Sequence, residues 1–347
     1  MLKEAGWNLH VDFHDHKKHI GKPRVVREFE VMGESSSKYI DYAFIDGKEN
    51  VIAILEAKRT SKSADSGKAQ GLQYANYIEK VYNSRPFIFY SNGYETYLWD
   101  DLYYPERKIW GFYSLEKLEF LLFQRKHRMS LNSIQLNPKI IDRGYQMEGV
   151  RRVLEDFETK RRKALLVMAT GTGKTRVAMS IIDTLLQTHW IKRVLFLADR
   201  RELRQQAEDA FKKYIPYANQ IQITSFLKSQ DKNKPIFTAT YNSMMSNYLD
   251  FPIDFFDLII ADESHRSIYN YYSELFRYFD ALQIGLTATP VGYINRNTFT
   301  FFERPANDPT FYYSLEEAVT HNPPYLVKYR CVQHSTKEIM TDLKKEN

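Results

Sequence analysis

One cysteine, Cys331, occurs in 347 residues. That excludes an internal disulfide and any zinc site built from several thiolates. No apolar run approaches the roughly 20 residues that a membrane-spanning helix needs. The opening residues, Met1-Leu2-Lys3-Glu4-Ala5-Gly6-Trp7, carry no secretory apolar core, so no membrane is expected and the cytoplasm is the expected compartment. Proline and glycine are sparse, at 12 and 14, and there is no internal repeat or low-complexity segment. Fibrous and disordered classes are thereby excluded. The formal charge is only +6. The basic residues are dispersed, which permits a polyanionic partner without specifying one.

What is present is ample core material. Hydrophobic residues make up 43% and aromatics 15%, enough for two or three packed domains. The most informative stretch is Met168-Ala169-Thr170-Gly171-Thr172-Gly173-Lys174-Thr175. It follows an apolar run, Ala164 to Val167, and precedes a helix-like stretch, Val177 to Leu186. Strand, glycine loop and helix are the context that a phosphate-binding loop needs. Small residues let backbone N–H groups turn toward a phosphate chain, and the helix N-terminus adds its positive end. Lys174 would reach the β- and γ-phosphates, and the Thr175 hydroxyl would ligate Mg²⁺. Met168 stands where such a loop usually has its first glycine.

A buried-strand pattern, Phe256 to Ala261, ends in Asp262-Glu263-Ser264-His265. Acidic groups at the end of such a strand lie where α/β sheets place their ligands. Asp262 would hold Mg²⁺, and Glu263 would orient or deprotonate an attacking water. A third element, Leu286-Thr287-Ala288-Thr289-Pro290, follows another apolar run. In this order the three elements resemble the first RecA-like lobe of a superfamily 2 helicase of the DEAD/DEAH type. The resemblance implies an adenine-reading role for Gln146 in Arg143-Gly144-Tyr145-Gln146. It implies that Gly171, Thr172, Gly173, Lys174, Thr175 and Asp262 bind ATP and Mg²⁺. Thr287, Thr289 and His265 would couple nucleotide state to lobe movement. Leu195 to Arg201 and Thr238 to Ser243 are similar to segments that touch the nucleic-acid backbone.

Upstream, Val25 to Val31, Tyr39 to Ile45 and Val51 to Lys58 read as strands. Asp46-Gly47-Lys48-Glu49-Asn50 is a hairpin turn. That turn makes Asp41 and Glu56 cross-strand neighbours, and two-residue alternation puts Glu56 and Lys58 on one face. Two converging carboxylates are costly unless a cation lies between them, and Mg²⁺ suits oxygen ligands. By spacing alone an exposed hairpin accounts for the triplet equally well. Asp41, Glu56 and Lys58 resemble the PD-(D/E)XK nuclease core. In it the two carboxylates would bind Mg²⁺ and Lys58 would orient the attacking water. Gln70 and Tyr74 then resemble the Gln-x-x-x-Tyr motif of type I restriction R subunits and RecB-like nucleases. Gln73 and Tyr77 share the spacing, and the first pair is preferred because it lies nearer the strand. His14, His16 and His19, set among lysines, read as solvated surface.

The expected fold is α/β throughout: an N-terminal PD-(D/E)XK nuclease-like domain over 1–128, a linker over 129–142, and a RecA-like ATP-binding lobe with a mainly parallel sheet over 143–300. Residues 301–347 read as a tail at the start of a missing second lobe. This combination resembles the R subunit of a type I restriction enzyme. It implies ATP-driven translocation and Mg²⁺-dependent cleavage of double-stranded DNA, in complex with methyltransferase (M) and specificity (S) subunits. A facing lobe normally supplies an arginine worth ~10³ or more in turnover, so the chain by itself is expected to hydrolyse ATP weakly. Two other readings stand beside this one. The chain is a silent DNA- or partner-binding remnant, or a repair-type nuclease–helicase completed by another chain.

Overall fold

The structure is a computed structural model in which residues 1–32, 37–59, 63–223, 232–264, 272–289, 292–293 and 296–327 are described. His265, Pro290 and Cys331 lie outside the described residues.

The first half is one mixed sheet. Its elements are β1 (His10–Asp12), β2 (Arg24–Met32), β3 (Ser37–Ile45), β4 (Val51–Ala57), α1 (Lys68–Tyr82), β5 (Phe87–Ser91), β6 (Thr96–Trp99), β7 (Arg107–Ile109) and α2 (Leu115–His127). The strands lie side by side in chain order. β2–β3–β4 is an antiparallel meander, whereas β4 and β5 are parallel because α1 carries the crossover between them. Alternate residues of β4 enter different cores. Ala53 and Leu55 join Trp7, Phe44, Phe89 and Phe112 on one face. Ile54 joins Val26, Ile88 and the Tyr74–Ile78 face of α1 on the other.

The second half begins with α3 (Gly144–Glu158), β8 (Lys163–Met168), α4 (Lys174–Gln187), β9 (Val194–Ala198), α5 (Arg201–Tyr214), β10 (Gln220–Gln222) and β11 (Ile236–Thr240). It continues with α6 (Tyr241–Asn247), β12 (Leu258–Asp262), α7 (Ser273–Tyr278) and β13 (Leu282–Thr287). A short hairpin, β14 (Gly292–Tyr293) and β15 (Arg296–Asn297), leads to α8 (Thr298–Phe301), β16 (Phe311–Tyr313) and α9 (Leu315–Thr320). The sheet order is β10-β11-β9-β12-β13-β8-β16, with every pairing parallel. Both faces are covered. Leu166 and Met168 of β8 enter one core and Leu165 and Val167 the other, which is why these strands read as continuous apolar runs. Among the described residues no helix is long and apolar enough to cross a membrane.

Two expectations need correction. Residues beyond 300 are not a separate tail, because β16 pairs with β8 as the seventh strand. The Thr310 hydroxyl accepts from Leu165 N–H and donates to Asp156, which pins this edge. Residues 129–142 are irregular but not a free linker: Leu131, Ile140 and Ile141 are buried in the second core. Serine, asparagine and proline there signal irregular backbone, not solvation.

The two sheets meet at a polar, buried seam. Asp280, just before β13, accepts from Arg107 at 2.8 and 3.0 Å, from Arg162 at 2.7 Å, and from the Tyr113 hydroxyl. Asp254 caps α2 through Ser114 N–H and Oγ, both at 2.7 Å. Asp257, just before β12, pairs with Lys117 and accepts from Lys192 and Arg193 N–H. Residues 162, 193, 257 and 280 all lie at or just before the N-terminal ends of parallel strands. The seam is thus on the edge opposite the strand ends where α/β sheets bind ligands.

Candidate functional site

The first site is built on the β3–β4 hairpin. Its turn is held firmly: Asp46 Oδ1 accepts from Lys48 and Asn50 N–H, each at 2.8 Å. Fully buried Arg24 forks onto Glu49 at 2.9 and 2.6 Å, and that hydrogen bonding takes the Glu49 carboxyl down to about 2. With the turn fixed, Tyr42 pairs with Leu55, so Asp41 and Glu56 follow as neighbours. Asp41 Oδ2 accepts the Ala57 N–H at 2.7 Å.

Glu56 is 2% exposed. One carboxylate oxygen accepts from Lys58 Nζ, and Oε2 is buried with no hydrogen-bond partner. Burial pushes its carboxyl up to about 7; the charge of Asp41 adds to that and Lys58 opposes it. Lys58 also donates to Gln70 Oε1 at 2.7 Å, and Gln70 Nε2 donates to the Tyr74 hydroxyl at 2.8 Å. Asp41, Glu56, Lys58, Gln70 and Tyr74 therefore form one connected cluster. Gln73 is exposed, and Tyr77 instead takes a bond from Lys38 at 3.3 Å. Gly67 lets the turn before α1 close over the site, since a Cβ there would lie 3.2 Å from Glu56 Cγ. A divalent cation suits this chemistry. The orphaned Oε2 of Glu56 lies in a carboxyl group that burial and Asp41 keep from ionising freely. Two carboxylates are the set present, because no trio of possible metal ligands occurs among the described residues. Glu28 breaks the β2–β3 ladder alongside Asp41 with φ 51°.

The second site lies at the carboxyl edge of the parallel sheet. The loop from Ala169 to Gly173 joins β8 to α4. Gly171 and Gly173 have φ of 84° and 92°, where side chains are disfavoured. Met168 is a buried strand residue, so its replacement of the usual glycine lies in the core and not in the loop. Its carbonyl accepts from Lys174 Nζ at 3.2 Å. Thr175 is half-buried at the start of α4, and buried Thr172 bonds through its hydroxyl to Ala169 O at 2.7 Å. Asp262 ends β12. Burial raises its carboxyl to about 6, Glu263 and Asp199 add to this, and Lys174 opposes it. Glu263 has a left-handed backbone, φ 50, and donates its N–H to Asp262 Oδ1 at 3.1 Å. Thr287 is buried and accepts from Thr289 N–H at 3.1 Å. Gln146 is buried against the loop. Asp199 is the contribution that sequence reasoning missed. It ends the apolar run of β9, beside β12, and strand order was needed to see it.

Residues 3–107 match the family model described as type I restriction enzyme R protein N terminus. Residues 139–292 match that of the type III restriction enzyme res subunit. The chain is 28% identical over 356 aligned residues to the EcoAI endonuclease subunit of Escherichia coli, covering 96% of this chain and 42% of that protein. It is 32% identical over 215 residues to the EcoKI endonuclease subunit of Escherichia coli K12, covering 53% of this chain and 18% of that one. The chain thus spans less than half the length of either relative. A solved fragment assigned to an HsdR subunit from Vibrio vulnificus YJ016 is 25% identical, covers 91% of this chain and 57% of its own, and gives a TM-score of 0.40. Both halves are thus matched in one order along the chain, and the chain is similar to the N-terminal portion of type I restriction enzyme endonuclease subunits.

Proposed function

We propose that the chain carries the DNA-cleaving site and the ATP-binding half of the motor of a type I restriction complex, acting on duplex DNA with methyltransferase and specificity subunits. The observation that supports this best is the convergence of Asp41, Glu56, Lys58 and Gln70 around the end of β4. In this reading residues 1–128 are the nuclease domain, and the lobe continues past 300 through β16 and α9.

Asp41 and Glu56 would hold Mg²⁺. When bound, the ion would polarise the scissile phosphate and make a bound water more acidic. Lys58, drawn between Glu56 and Gln70, donates to the attacking water and faces the charge that develops on the phosphate. Tyr74 fixes Gln70, so Lys58 has little freedom to leave. In the lobe, Lys174 exchanges the Met168 carbonyl for the β- and γ-phosphates, and loop N–H groups cradle the chain. Asp262 and Thr175 would hold the nucleotide's cation, and Glu263 would orient the attacking water.

One RecA-like sheet is present among the described residues, so hydrolysis is predicted to be slow until a facing lobe supplies its arginine. Steady-state ATP hydrolysis with and without duplex DNA tests this, with Lys174→Ala as control. Slow turnover alongside Lys174-dependent nucleotide binding is the expected result. Absence of nucleotide binding would remove the motor assignment.

A further inference from the structure

The resemblance to the helicase lobe gives Gln146 the base-reading role, yet its Oε1 is buried and has no hydrogen-bond partner. The whole residue is 1% exposed. An atom without accessible surface meets no ligand until its cover moves. Gln146 Nε2 donates to the Thr172 carbonyl at 3.0 Å, and the Tyr145 hydroxyl donates to the same oxygen at 2.6 Å. The amide lies so close to the loop that a Cβ on Gly173 would be 2.5 Å from Nε2.

The chain after α9 folds back onto this loop. Tyr325 and Leu326 N–H both donate to Ala318 O, at 2.9 and 3.1 Å. Leu326 Cδ2 lies 3.1 Å from where a Cβ on Gly171 would stand. The Tyr325 ring meets Tyr145 edge-on at 5.0 Å, and the Arg143 guanidinium lies 4.8 Å from its centroid. Tyr313 stacks on Tyr145 at 3.9 Å. Tyr325 thus presents to Arg143 what a purine would present, a flat π-face on a guanidinium beside a phosphate loop.

We propose that residues 321–326 are an occluding strap of the nucleotide site. Tyr325 and Leu326 take the place of base and ribose, and must withdraw before Gln146 meets adenine. The inference rests on the ATP-site reading of the loop. A site open only part of the time binds with an affinity reduced by its open fraction, so loosening the strap tightens binding.

The test uses the whole chain and a fluorescent ADP analogue. Tyr325→Ala with Leu326→Ala is expected to bind about twofold to tenfold tighter than wild type, while Lys174→Ala loses binding in either background. Hydrogen exchange on the wild-type chain supplies a second measurement that needs no variant. The Tyr325 and Leu326 amides, protected by Ala318 O, exchange faster once ADP is added. Unchanged or weaker binding together with unchanged or slower exchange overturns the strap while leaving the nucleotide site intact. Failure of the wild type to bind the analogue through Lys174 removes both.

Discussion

Glu56 lies at the end of a strand whose preceding side chain on that face, Ile54, is core. Burial there opposes ionisation, so its carboxyl stands near 7 against an ordinary value of 4.5. The sign follows directly. Folding favours the protonated form between those values, so this group's contribution to stability is complete below about pH 4.5 and is lost as pH rises through about 7. Glu56→Gln is therefore expected to raise Tm by a few degrees in metal-free buffer at pH 8. The gain should vanish near pH 4. Mg²⁺ should raise the Tm of the wild type and not of the variant. A lower Tm at pH 8, or equal responses to Mg²⁺, would mean that the carboxylate is at ease without a cation. At this scale much was legible. The hairpin turn and two-residue alternation placed Asp41, Glu56 and Lys58 together from spacing alone. The burial of Gln146 was not legible, because it comes from packing against the loop at Thr172 and Gly173, more than 20 positions later.

At the scale of elements, α1 does the positioning. It brings Gln70 to Lys58 only because it lies close on β5. A Cβ on Gly71 would stand 2.8 Å from Ile88 Cγ2, and a β-branched core residue has little room to retreat. Gly71→Ala is expected to cost about 1–3 kcal/mol, read as a shift in urea midpoint. It should also weaken nicking by lifting Gln70 from Lys58. Full activity with reduced stability would show that Gln70 is not needed to hold the lysine. The strands of the second half were readable because both faces are buried and each run is apolar. β16 escaped for the opposite reason. It has three residues, Tyr312 is exposed, and a parallel edge strand takes its register from its neighbour rather than from its own pattern.

For the whole molecule, the seam around Asp280 joins the two sheets. Burial opposes the carboxylate, but Arg107 and Arg162 together outweigh it and hold it well below the usual range. A depressed value means stability that is present above about pH 4 and lost as pH falls further. Asp280→Ala leaves two arginines facing a desolvated gap. It is expected to cost about 3–5 kcal/mol and to split a single denaturant transition into two. One unchanged transition would show that the sheets do not depend on each other through this carboxylate. None of this was visible in the chain: Arg107 and Asp280 are 173 positions apart, and neither belongs to a motif. The seam also sets the geometry of function. The first sheet's unit meets the N-terminal ends of the second sheet's strands, so a nucleotide bound as proposed at the other ends would not touch it.

In the proposed function the Asp41–Glu56–Lys58 cluster cuts DNA. Conversion of supercoiled plasmid to nicked circles in Mg²⁺, wild type against Lys58→Ala with Tm measured in parallel, tests it most directly. Nicking by the wild type and its loss in the variant at near-unchanged Tm are expected. Equal nicking by both proteins would contradict it.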